Sequence, residues 1–411
     1  MLRLIIGGAG SGKTTVLIQR VYNLLTYGRG SDSTEVPHWA EAEDLEFLER
    51  FPRQPEESDW AQARRLCAVD VPRPWEIIAI TFTNKAAGEL KERLSARLGP
   101  MANDIWASTF HSACVRILRR DIDRLGFSKD FTIYDTDDSK RVLKDIIKEM
   151  NLDEKSFQPK SVLSVISAAK DRYESPEDFA KSHQNENDWK LSRIAKIYTK
   201  YAKKLRDANA LDFDDIIYYT VQLLQQDRDV REYYQNKFRY VLVDEYQDTN
   251  FAQHAIVWQL TAEHQHVCVV GDDAQSIYSF RGANIDNILK FTQQYTGARL
   301  FKLQQNYRST QTIVKAANSL IAKNSEQIRK EVFSEKDEGE AIRVYCAYSD
   351  IEEGEIVANK ITELHRRKDI PYSQQAILYR TNAQSRIFEE ALRKRSIPCR
   401  IYGGISFYQR K

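Results

Sequence analysis

Cysteine is scarce and unorganised. The 411-residue chain has five, at positions 67, 114, 268, 346 and 399, with no CxxC pair. An odd number at these spacings excludes a disulfide framework and a cysteine zinc site, and a reducing cytoplasm is the simplest setting. Long apolar runs are missing too: none approaches the ~20 residues of a membrane-spanning helix, so no membrane contact is expected. The opening LRLIIGG is too short, and passes too directly into functional sequence, for a secretory leader. There is no short-period repeat, no low-complexity tract and no recognisable nuclease motif. Charge is not one-sided either: 61 Lys and Arg oppose 59 Asp and Glu, a net of +2. That balance does not by itself point to nucleic acid, although an average hides any local basic groove. What is present is 42% hydrophobic and 29% charged residues, enough for a sizeable core and a solvated surface. The length suggests two or three domains.

Strand-like apolar runs alternate with helical periodicity. LRLII (2–6) ends in glycine, and TTVLIQRVYNLL follows with apolar residues at 16, 17, 21, 24 and 25. EIIAITFTN (76–84), RYVLVDEYQD (239–248) and HVCVVGDDAQ (266–275) read as further strands, and IWASTF as a strand end passing into a helix. Residues 135–210 read as helical and charged. RLFKLQQNYRS (299–309) begins a new unit, and AIRVYCAYS, AILYRTNAQS and PCRIYGG add strands to it. This alternation predicts an α/β fold with parallel sheets. Residues 28–74 break the rhythm. Rich in Pro, Glu and Asp, they read as an inserted excursion, either an ordered surface elaboration or a partner-binding arm.

Three motifs carry chemistry. Gly7, Gly8, Ala9, Gly10, Ser11, Gly12, Lys13 and Thr14 fit the phosphate-loop pattern GxxxxGK[ST], set between a strand and a helix. The glycines let backbone N–H groups converge on phosphate oxygens, and the helix adds its positive end. Lys13 then reaches the β- and γ-phosphates and Thr14 ligates Mg²⁺. The plainer reading is a glycine turn beside a surface lysine. VLVDEYQD delivers Asp244 and Glu245 at a strand's carboxyl end, where ligands of open α/β sheets bind. An Asp there holds Mg²⁺ and a Glu beside it deprotonates the attacking water, though surface acids after a strand are common. Gln275 ends the third strand, where an amide can sense a γ-phosphate. Tyr278, Phe280 and Arg281 suit stacking on unpaired bases; taken alone, the two rings read more readily as core filling.

GGAGSGKT, TFTNKAA, STFHS, LDFDD, VDEYQD, GDDAQSIYSFRGAN and QNYRS stand in the order seen in superfamily 1 helicases of the UvrD/Rep/PcrA type, which the chain resembles from end to end apart from 28–74. YRTNAQSRIFEEAL (379–392) is similar to a stretch of that family's second motor domain. The resemblance implies a P-loop NTPase with a RecA-like motor domain (1–134 and 211–300), a helical accessory domain (135–210) and part of a second RecA-like domain (301–411). It implies an ATP-dependent, 3′ to 5′ helicase or translocase on single-stranded DNA or single/double-strand junctions. By the same resemblance Gln275 couples hydrolysis to DNA, Arg308 is an arginine finger and Tyr307 packs on adenine, with Thr15 where relatives often carry arginine. Phe82, Thr83, Asn84 and Lys85, then Thr109, Phe110 and His111, and Phe213 match positions along the single-strand path, with Phe280 where many relatives have tryptophan.

Only six residues precede Gly7, so the family's adenine-reading segment is not expected here. The end at GGISFYQRK falls before the remaining motor motifs, which implies an incomplete chain, a fragment or one part of a split gene, with room for a protein partner either through 28–74 or supplying those motifs. Two other classes stay open: a non-catalytic nucleotide- and DNA-binding remnant or regulatory subunit, and a P-loop enzyme acting on a small molecule or protein.

Overall fold

Side chains alternate across a strand, and in the central strands of this protein both faces are apolar. The structure, a computed structural model, describes residues 2–52, 54–183 and 189–402, and only the backbone of Asp32. Its strands are β1 (Arg3–Gly7), β2 (Ile77–Thr81), β3 (Trp106–Thr109), β4 (Thr132–Ile133), β5 (Ala210–Leu211), β6 (Tyr240–Val243), β7 (Val267–Gly271) and β8 (Arg299–Leu303). Six form one sheet in the order β3-β2-β6-β7-β1-β8, with β4 and β5 paired apart from it. Every ladder of the large sheet is parallel. Leu4, Ile6, Ile78, Ile80, Val241, Val243, Val267 and Val269 face one core, which the helices Phe110–Asp121, Phe213–Gln226 and Phe251–Thr261 cover. Ile5, Ile77, Ala79, Leu242 and Val270 face the other, under the helices Lys13–Tyr27 and Asn84–Leu98. Burial on both sides is why these strands read as unbroken apolar runs. The α/β architecture expected from the sequence is present.

The stretch read as helical and charged folds into the helices Thr136–Glu149, Pro159–Asp171, Pro176–Ser182 and Trp189–Asp207 around a core of their own, including Ile146, Val162, Phe179, Ile197 and Tyr201. Residues 28–74 leave the domain of the large sheet and return to where they left. The Val69 N–H donates to Tyr27 O at 3.0 Å and the Arg29 N–H to Val69 O at 2.7 Å. Arg239, just before β6, holds Asp70 at 2.6 Å. Between these ends run the helices Ala42–Glu49 and Glu57–Cys67, joined by edge-on contacts of Phe51 with Phe47 and Trp60. Gly30 permits the closure, because a Cβ there would fall 1.8 Å from the Cys67 carbonyl oxygen. Gly30→Ala is therefore expected to destabilise the folded state by about 1–3 kcal/mol, the usual range for overpacking. Chemical denaturation of the two proteins checks it; equal midpoints would show that the clasp yields freely.

Residues Met1–Gly339 form one compact unit and Glu340–Lys411 another. Strand β8, in the run read as opening a new unit, lies in the first sheet beside β1, with Arg3 opposite Arg299 and Gly7 opposite Leu303. In the other unit the helices Asp350–Lys368 and Ser385–Lys394 pack through Ala358, Ala391, Leu392 and Ile397. The strands expected in AIRVYCAYS and AILYRTNAQS are not formed among the described residues, and PCRIYGG, which runs past them, shows none up to Tyr402. Val344, Tyr348 and Leu378 are exposed there, and a strand exists only with a partner ladder.

Candidate functional site

The loop after β1 is shaped by its own hydrogen bonds. Ser11 Oγ donates to Gly8 O at 2.8 Å, and Lys13 Nζ donates to Gly7 O and Gly8 O at 3.1 and 3.3 Å. Gly12 caps the helix that begins at Lys13, so the first free N–H groups of that helix face the loop. Gly10 sits at φ +74, and a Cβ on it would come within 2.7 Å of Arg308 Cβ; only glycine meets both conditions. Ala9 is exposed and Thr15 points to solvent on the helix.

The two acids after β6 lie beside this loop. Thr14 Oγ1 donates to Asp244 Oδ2 at 3.2 Å. Burial pushes the Asp244 carboxyl up to about 6, and the neighbouring Glu245 adds to the rise. A hydroxyl and a carboxylate oxygen converging in this way are hard oxygen donors of the kind Mg²⁺ takes while keeping several waters. Glu245 holds a left-handed backbone (φ 50) and accepts a 2.8 Å bond from Gln247 Nε2. Non-glycine residues in that region cost about 1 kcal/mol or more and cluster at functional sites. At the end of β7, Gln275 Nε2 donates to Asp272 Oδ2 at 2.7 Å, and Gln247 Oε1 accepts from the Asp272 N–H at 2.9 Å. The acids and the amide are thus joined through Gln247.

The segment after β8 crosses over the loop. Asn306 Nδ2 donates to Ala9 O at 2.6 Å and the Tyr307 N–H to Gly10 O at 3.0 Å. Asn306 Oδ1 accepts from the N–H groups of Arg308 and Ser309 at 2.8 and 2.7 Å, which fixes the turn that carries Arg308. The Arg308 and Tyr307 side chains are exposed, and the Tyr307 hydroxyl donates to Gln305.

The aromatic series divides. Phe280 is 75% exposed, with Tyr278 5.9 Å away and the Arg281 guanidinium 5.5 Å from the Phe280 ring centre. The core-filling reading of these two rings is therefore set aside. Phe213 is half exposed beside His111, ring to ring at 6.0 Å. Burial holds the His111 pKa below its usual value, against the pull of Asp214. Phe110 is a correction: only 2% exposed, it is a core residue packed edge-on to the half-buried Phe82, and it lines no surface. Its place at the start of a helix beneath β3 put it inside. Thr83 and Thr109 are helix N-caps, accepting from Ala86 N–H and Ser112 N–H; Asn84 and Lys85 are exposed.

Sequence reasoning missed Asn306, Gln247, Asp272 and Lys330. The first three had a signal, since each lies inside a quoted motif. Lys330 had none: it stands in a charged stretch without period. Its ammonium lies 2.9 Å from Asp272 and 2.5 Å from Asp273, out of solvent.

Comparison with known proteins bears on the whole chain. Residues 63–296 match the UvrD/REP helicase N-terminal domain, and 301–411 match the UvrD-like helicase C-terminal domain. A Bacillus subtilis (strain 168) protein named ATP-dependent DNA helicase PcrA is 51% identical over 338 residues, covering 82% of this chain and 45% of that protein. Proteins of the same name from Staphylococcus aureus (strain Mu50 / ATCC 700699) and Staphylococcus epidermidis are each 43% identical over 408 residues, covering 99% of this chain and 50% of theirs. The chain spans about half the length of these relatives. With both family domains matched in order, and with the phosphate loop, paired acids and NYRS turn gathered on one sheet, the chain belongs to the UvrD/REP helicase family.

Proposed function

We propose that this chain is the ATP-hydrolysing part of a DNA helicase that moves 3′ to 5′ on single-stranded DNA. One observation carries the reading: Lys13, Thr14, Asp244 and the Asp272-held Gln275 converge at the carboxyl ends of three parallel strands. The loop amides and Lys13 bind the phosphates of ATP, and Tyr307 offers an exposed ring for the base. Thr14 and Asp244 would hold Mg²⁺, which supplies neutralisation of phosphate charge when bound. Glu245 orients a water and takes its proton as the water attacks the γ-phosphorus, releasing phosphate and ADP. Arg308, on its fixed turn above Gly10, places positive charge on the transferring phosphoryl group. Coupling to DNA runs along one loop, because Gln275 stands three residues before Tyr278 and five before Phe280. Phe280, Phe213 and Arg281 stack on or pair with the unpaired strand, and Thr83, Asn84, Lys85 and His111 border it. Strand junctions, with the duplex ahead, are the proposed substrate, in the cytoplasm where such DNA lies. The excursion 28–74, with Trp39 and Trp60 exposed, is a proposed protein contact.

The test is phosphate release from ATP by the purified chain with and without oligo(dT). Acceleration by the oligonucleotide, abolished by Lys13→Ala, is expected; no acceleration at saturating concentrations rejects the reading. Phe280→Ala should weaken oligo(dT) binding by about 1–3 kcal/mol, as loss of one stacked base does. Fluorescence anisotropy measures it, and unchanged affinity removes Phe280 from the DNA path.

A further inference from the structure

Asp272 stands between two ammonium groups. Lys13 Nζ lies 4.0 Å from its Oδ2, and Lys330 Nζ lies 2.9 Å from its Oδ1. Lys330 also reaches Asp273 Oδ1 at 2.5 Å. The remaining oxygens are taken: Asp272 Oδ2 accepts from Gln275 Nε2 at 2.7 Å, and Asp273 Oδ2 from the Ile328 N–H at 2.9 Å. The Asp272, Asp273 and Lys330 side chains are nearly out of solvent. The Lys330 segment is pinned on either side, by Lys302 Nζ to Arg329 O at 2.8 Å and Asn318 Nδ2 to Val332 O at 2.7 Å.

We propose that Lys330 is a positioning residue for the phosphate site: by neutralising Asp272 and Asp273 it keeps Lys13 available to phosphate instead of to Asp272. This rests on the nucleotide site proposed above. Two adjacent buried carboxylates are costly unless paired. Without Lys330 the nearest cation to Asp272 is Lys13, which needs to move only about 1 Å to form a charge-assisted bond. An ammonium so engaged must leave a buried carboxylate before it can meet a phosphate. With Lys330 in place, Lys13 donates instead to the carbonyls of Gly7 and Gly8, neutral partners that release it more easily. Buried ion pairs add little net stability against an apolar substitute, so stability alone does not account for this pairing; what it supplies here is an arrangement of charge.

The experiment titrates a fluorescent ATP analogue with Mg²⁺ into the chain and its variants. Lys330→Met is expected to weaken binding on the order of tenfold, the value of one charged hydrogen bond. Lys330→Arg, which keeps the charge, should stay within about threefold of the parent protein. The double variant Lys330→Met with Asp272→Asn should recover to within about threefold, because the competing carboxylate is gone. A merely structural lysine would not give that recovery. Parent-like binding by Lys330→Met, or a double variant as weak as the single, overturns the inference and leaves the nucleotide site standing. If the parent chain itself binds no nucleotide, the site and the inference both fail. Should Lys330→Met not fold, Lys330→Gln decides: a tenfold loss supports the role, and parent-like affinity overturns it.

Discussion

Replacing Glu245 by Gln is expected to slow DNA-stimulated ATP hydrolysis by about a hundred- to ten-thousandfold, the range for removing a general base, while nucleotide still binds. The substitution keeps shape and removes only the basic oxygen. The bond from Gln247 Nε2 needs an acceptor, which an amide oxygen still provides. The left-handed backbone at this position suits glutamine no better than glutamate, so the turn is neither relieved nor newly strained. Asp244, which bonds Thr14 and is proposed to hold the metal, is untouched. Phosphate release at saturating ATP and oligo(dT), beside an equilibrium nucleotide titration, separates the two effects. A rate within tenfold of the parent removes Glu245 from the role of base.

Arg308→Ala is expected to lower kcat by about 10³–10⁵, as loss of an arginine finger does, with a smaller change in KM. The turn will survive, because Asn306 fixes it through backbone N–H groups that alanine retains. Among the described residues the Arg308 side chain makes no close bond that shapes the loop; its own Cβ is what lies against Gly10. Arg308→Lys should recover only part of the rate, since an ammonium lacks the planar fork that meets two phosphate oxygens together. Steady-state kinetics of the three proteins decides it, and a loss under tenfold places the phosphate-facing charge elsewhere.

What could be read beforehand was local. β1, β2, β6 and β7 are runs of four or five residues buried on both faces, and such runs announce themselves. The strand, loop and helix of residues 3–27 and the acids after β6 needed only their immediate neighbours to be placed. What escaped was set by distance along the chain. Phe110 lies in a motif expected along the single-strand path, yet the helix it begins packs beneath β3 and takes the ring inward. The apolar alternation of 341–349 is strand-like in sequence, but a ladder needs a second strand, which no local pattern supplies. Lys330 acquires meaning only because the chain, 57 residues beyond Asp273, passes back over the sheet. β8 could be seen as a strand but not assigned to a sheet, since register with β1 is a long-range fact.

The clasp at Gly28, Gly30 and Val69 has an evolutionary consequence. The chain between Tyr27 and Val69 begins and ends at hydrogen-bonded neighbours, so its length is uncoupled from the spacing of β1 and β2. Loop closure costs only about 0.6 kcal/mol per doubling of length, and here the ends are already joined. Segments can be gained, lost or exchanged at that point by a single genetic event without moving the loop after β1 or the acids after β6. The domain of the large sheet therefore has a built-in site of variation, where new recognition can be tried while the proposed hydrolytic site stays as it is.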